Sequence, residues 1–138
     1  MFGARAWTGI HSESWRVREA CAQAVLNFLE MPLPDKYLNG KSKKLFLASM
    51  EFTKICLDDK ILSIFFIGLK ILSTGLAPPV CGTDVSPAIV NKVLKEFSPI
   101  LVEKIQELNF RAREISLHSL LSIFRHPAAN VGILVILY

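Results

Sequence analysis

No apolar run in this sequence is long enough to cross a bilayer. The most apolar stretch, Ile61 to Leu69, is interrupted by Lys70, and Val131 to Tyr138 is shorter still. A helical span needs roughly 20 such residues. The start of the chain carries Arg5 but no apolar stretch that could serve as a signal peptide. Cysteine is scarce as well: Cys21, Cys56 and Cys81 are far apart and odd in number. That argues against a disulfide framework and for reduced thiols in a cytoplasmic protein. No segment alternates like a half-buried strand with a partner in sight, although Ile133 to Tyr138 is β-prone by composition.

The common catalytic signatures are missing too. His11, His118 and His126 have no Cys or carboxylate at metal-ligand spacing. There is no glycine-rich phosphate loop and no nucleophile elbow, and the Cys81-Gly82 thiol has no histidine near it in sequence. The expectation is a protein that is not an enzyme and holds no cofactor or metal. A net charge of +4 attracts an acidic partner. It is too thin a basic face for nucleic acid.

What the sequence does have is apolar material, at 51% of 138 residues, arranged at helical spacing. Phe2, Ala6, Trp7 and Ile10 predict a short helix within 2–11, weakened by Gly3 and Gly9. Ser14 is placed to cap a helix over 14–30 whose buried face would be Val17, Ala20, Cys21, Ala24, Val25, Phe28 and Leu29, stopped by Pro32 and Pro34. The basic run Lys36, Lys41, Lys43, Lys44, with the Asn39-Gly40 turn, reads as a solvated segment. A helix over 42–57 would bury Leu45, Ala48, Ser49, Phe52, Ile55 and Cys56. Asp58-Asp59 breaks it, and either Asp can cap the next, over 59–74, which is apolar nearly all round and should be central. A linker from Gly75 to Asp84 follows. Ser86-Pro87 then starts a helix to Leu108, kinked at Pro99 or broken there into two. Asn109 caps a helix over 110–125, and 129–138 would begin another.

One motif recurs. Ser14-Trp15-Arg16-Val17-Arg18-Glu19-Ala20 returns as Asn109-Phe110-Arg111-Ala112-Arg113-Glu114-Ile115. The offset persists through the helix that follows: Val25 falls on Leu120, Leu26 on Leu121, Leu29 on Phe124 and Pro32 on Pro127. Asp58, Phe65, Leu69 and Leu72 match Trp15, Ala22, Leu26 and Leu29. The spacing of these first two copies fits the roughly 40–47 residues of HEAT or armadillo hairpins, and the third is stretched by the linker. The expected fold is therefore all-α, a single domain over 1–138 built as a HEAT-type solenoid. It would have about three hairpins, near 2–32, 35–75 and 86–127, and part of a fourth at 129–138. The tight breaks at 12–15, 57–60 and 109–111 would line one edge, presenting Trp15, Arg16, Asp59, Lys60, Asn109 and Arg111. Arg18 and Arg113 are expected to bridge to neighbouring helices or caps.

Ser12-x-x-Trp15-x-x-Arg18-Glu19-Ala20, followed by an apolar helix and Met31-Pro32, resembles the opening of a TOG domain. The TOG domain of the ciliary-tip centrosomal protein family is the most similar. That resemblance runs through Trp15–Pro32, Asp59-Lys60-Ile61 with Phe65 and Leu69-Lys70-Ile71-Leu72, and Phe110–Phe124, about the first half of such a domain. It implies tubulin binding by the edge of intra-hairpin loops, with Trp15 packing on the β subunit and Arg16, Lys60, Asn109 and Arg111 as further contacts. It also implies a monomer acting at the cytoskeleton, at centrioles, basal bodies or ciliary tips, without nucleic acid or membrane. Asp58-Asp59 in the second turn departs from that pattern. The alternative is a structural HEAT scaffold that packs against another protein and never touches tubulin.

Overall fold

The computed structural model describes residues 2–107 and 109–124. Among these, all regular structure is helical, in six helices with no strand. They are α1 (Gly3–Gly9), α2 (Trp15–Glu30), α3 (Lys43–Leu57), α4 (Leu62–Leu76), α5 (Pro87–Glu107) and α6 (Phe110–Phe124), with a single 3-10 turn at Asp35–Tyr37. No helix among the described residues is long and apolar enough to cross a membrane. The helix expected from 129 onward lies outside the described residues, as does Pro127.

The chain divides into two compact units between Asp84 and Val85. In the first, α3 and α4 form a hairpin, α2 packs on α4, and α1 packs on α2. The central place expected for the apolar helix goes to α4. It buries Ile64, Phe65, Ile67, Leu69, Ile71, Leu72 and Leu76. Each such side chain stabilises the fold by about 1.5–3 kcal/mol before entropy is subtracted. Its two glycines let α3 come close. A Cβ at Gly68 would sit 2.7 Å from the Cys56 Cβ, and one at Gly75 would sit 2.6 Å from the Met50 Cε. The hydroxyls buried at this contact are satisfied within α3: Ser49 donates to the Leu45 carbonyl and Thr53 to the Ser49 carbonyl. Rings from α1 and the residue before it close one side, with Phe2 and Trp7 5.9 and 5.3 Å from the Phe52 ring.

The linker after α4 caps α3 from a distance. The Ser42 hydroxyl and the Lys43 backbone N–H both donate to the Asp84 carboxylate, and the Gly82 N–H donates to Ser42 Oγ. Partial desolvation pushes the Asp84 carboxyl up. The Lys43 and Ser42 hydrogen bonds outweigh it and hold the group below its ordinary 3.8. A lowered folded pKa means the contribution is complete above the ordinary carboxylate range and lost as pH falls through the lowered value.

The second unit is the pair α5 and α6. The Ser86 hydroxyl accepts the Ile89 N–H at 3.3 Å, with Pro87 at the first helical position. Of the two readings of Pro99, the single helix holds: α5 runs through it. The proline nitrogen carries no hydrogen, so one internal bond is missing there. Asn109 caps α6 as expected, its Oδ1 accepting the Ala112 N–H at 2.9 Å.

One expectation about α2 fails and another holds in part, with Val25 and Leu29 buried as expected. Ser14 sits at the cap position, but its hydroxyl makes no capping bond, and its own N–H is bound by Ser12 Oγ at 3.2 Å. The buried face is Ala22, Val25, Leu26 and Leu29. Val17, Ala20 and Ala24, expected inside, are exposed. The helix carries more apolar positions at helical spacing than one buried face can hold, and Val17, Ala20 and Ala24 are the ones left outside.

Candidate functional site

The start of α2 and the turn between α3 and α4 are held side by side by Arg18. Its Nε lies 2.8 Å from Asp59 Oδ2 and one terminal nitrogen 3.4 Å from Oδ1. The other terminal nitrogen donates to the carbonyls of Ser12 and Glu13, at 2.8 and 3.2 Å. One guanidinium therefore satisfies orphan groups in one turn and a carboxylate in the next, in the forked geometry that suits arginine. The expectation that Arg18 bridges elements holds. Asp59, expected to be presented at the edge, is instead half-buried against Arg18, and its Oδ1 also accepts the Ile61 N–H as α4 begins. A second link lies beside it, where the Ser63 hydroxyl donates to the Glu19 carboxylate.

This arrangement fixes three of the expected contact residues on one unit. Trp15 is 42% exposed at the first position of α2. The Arg16 guanidinium lies 5.6 Å from the centroid of its ring, a cation–π pair. Lys60 is exposed in the turn beside Asp59. The pairing of Arg18 with Asp59 leaves Arg16 and Lys60 as the cations facing outward near Trp15, with Glu13 and Asp58 also exposed on these turns. Asn109 and Arg111 lie on the second unit, both exposed, and the Asn109 carbonyl oxygen is already engaged as the α6 cap. Phe110, the counterpart of Trp15 in the repeated motif, is 75% exposed. Arg113 is exposed, unlike the half-buried Arg18.

Two thiols of the first unit have their pKa raised by their surroundings. Burial, and then the charge of Asp59, push the Cys56 thiol up to about 12. It stays protonated at neutral pH and inert. Burial, and then Asp84, also raise Cys81. Among the described residues no group of His, Cys, Asp and Glu could hold a metal ion.

A feature that sequence reasoning missed lies on the other side of α2. The exposed stripe of Val17, Ala20 and Ala24 borders α1, and two grooves of about 490 and 470 Å3 meet there, sharing Phe2, Ala6 and Ala24. The signal was present in the sequence as a helix with more apolar positions than one face can hold. Comparison of the chain with protein-family models, with curated proteins and with solved structures gives no match.

Proposed function

We propose that this chain is a HEAT-type, TOG-like module that binds tubulin through the edge of its intra-hairpin turns and acts at centrioles or ciliary tips. The observation that carries the reading is the Arg18–Asp59 bridge. It ties the turn before α2 to the turn before α4 and leaves Trp15 exposed with Arg16 on its ring. Stacked hairpins bind through equivalent positions in successive repeats, which such a bridge would place in register. An exposed aromatic with exposed Arg16 and Lys60 beside it suits an acidic partner surface, and Trp and Arg are the residue types that most often dominate binding energy. The α3–α4 hairpin, with α2 stacked on α4, is the packing that a two-helix repeat requires. The tubulin identity itself comes from the resemblance of Trp15–Pro32 and its echoes. Trp15, Arg16 and Lys60 are the proposed contact residues of the first unit; Asn109 and Arg111 are those the resemblance assigns on the second unit, taken by itself.

Gel filtration of the chain with tubulin at low and moderate salt tests this reading. Co-elution that weakens with salt, and is reduced by Trp15→Ala and by Arg111→Glu while helical circular dichroism is unchanged, supports it. No co-elution at tens of micromolar argues for the second reading, a structural HEAT scaffold for another protein. The uncovered apolar stripe on α2 favours that alternative.

A further inference from the structure

We propose a second docking surface, adjoining the turn edge at Arg16: the groove between α1 and the outer stripe of α2 receives an acidic amphipathic helix from another protein. The inference needs no tubulin, and its test rests on Ala20 and Arg5, which lie outside the turn edge.

The floor of the groove is apolar and made of small side chains. Ala6 comes from α1, and Val17, Ala20 and Ala24 come from α2, with Phe2 at the junction. Val17 is 43% exposed, and Ala20 and Ala24 are exposed. Val17, Ala20, Cys21, Ala24 and Phe28 follow one another at the spacing of a helix face built to be covered. Within the described residues α1 covers only part of it: Gly9 comes so close to Cys21 that a Cβ there would meet its sulfur at 2.2 Å. The stripe from Val17 to Phe28 is about 16 Å long at 1.5 Å per residue, room for roughly three turns of a ligand helix. Alanines along such a ridge allow the close axial separation of packed helices. A helix laid in this groove would anchor through apolar residues three and four apart.

The charge around the groove selects the partner. The charged residues that line it are Arg5, Arg16 and Lys36, all cationic. They sit on α1, at the start of α2 and in the turn after it, so they border the apolar floor on several sides. A helix with leucine-like residues on one face and carboxylates flanking them is complementary to that pattern. A second copy of this chain is a poorer occupant, because a two-fold contact through this face would set the same cations against one another. Nor does a basic amphipathic helix fit, for the same electrostatic reason.

The test uses the whole chain and a labelled helical peptide of about 15 residues, with leucines at positions three and four apart and glutamates elsewhere. Its control replaces every glutamate with lysine. Fluorescence anisotropy should give saturable binding of the glutamate peptide. The lysine peptide should bind at least about ten-fold more weakly, and affinity should fall as NaCl rises from about 0.05 to about 0.3 M. Ala20→Glu places a carboxylate on the groove floor and should weaken the glutamate peptide at least about ten-fold. Arg5→Glu, a rim change away from the helix–helix core, should weaken it severalfold and serves as the second variant if Ala20→Glu alters the circular dichroism. Absence of saturable binding, equal binding of both peptides, or indifference to both substitutions would overturn the proposal. So would a concentration-dependent dimer of the chain that Ala20→Glu abolishes, since the occupant would then be a second copy.

Discussion

Helices α2 and α6 share an aromatic–Arg–x–Arg–Glu start and differ in what they bury. In α2 the core side is Ala22, Val25, Leu26 and Leu29. Among the described side chains of α6 it is Ala112, Ser116 and Leu120, which correspond to Val17, Cys21 and Val25. Leu121, the counterpart of Leu26, is 49% exposed, while Leu26 is 2% exposed. The copies also begin differently. Asn109 caps α6 through its side chain, whereas Ser14 leaves α2 uncapped and the turn is held by Ser12 and Arg18. A repeated motif therefore reproduces where a helix starts and which aromatic and cation it displays there. It does not reproduce the side facing the core, because each copy carries more than one apolar stripe and its neighbours choose between them.

Several substitutions would break or sharpen this comparison. The largest contrast is Leu26→Ala against Leu121→Ala in chemical denaturation. The first should cost about 2–5 kcal/mol and the second no more than about 0.5 kcal/mol. Equal losses would mean that the two helices bury the same side after all. Next is Gly68→Ala, which adds a methyl where α3 and α4 touch. A loss of about 1–3 kcal/mol is expected, because overpacking exceeds the gain in helix propensity of roughly 1 kcal/mol. A more stable variant would show that the hairpin can open to admit it. Arg18→Ala should destabilise the first unit by about 1–3 kcal/mol by stranding the Asp59 carboxylate, and Arg113→Ala, on the exposed counterpart, by less than about 1 kcal/mol. The smallest contrast is at the caps: Asn109→Ala should cost about 1 kcal/mol and Ser14→Ala a few tenths at most. Thermal unfolding followed by helical ellipticity reads both.

The helices were largely legible in the sequence. The Asp58-Asp59 break, the Ser86-Pro87 start and the Asn109 cap each mark a boundary by local backbone chemistry, and each stands in the structure. α4 was legible as the central helix of the first unit because it has almost no polar side to turn outward. The orientation of α2 was not. Val17, Ala20, Cys21, Ala24 and Phe28 obey the same period as Ala22, Val25, Leu26 and Leu29, so periodicity has no means of ranking them. At the turn edge, the exposed Trp15 and Arg16 were legible from their place at a helix start. The pairing that orders the edge was not, because Arg18 and Asp59 are 41 residues apart and their link exists only once α2 lies on α4.

The proposal that the turn edge is the tubulin contact is tested most directly by titrating labelled tubulin with the chain and with Trp15→Ala, followed by anisotropy. The account predicts saturable, salt-sensitive binding, and a loss of about 30-fold or more on removal of the indole, equivalent to at least about 2 kcal/mol. Helical ellipticity and unfolding midpoint should be unchanged. Undiminished binding by Trp15→Ala, or an indole whose loss unfolds the first unit, would contradict it.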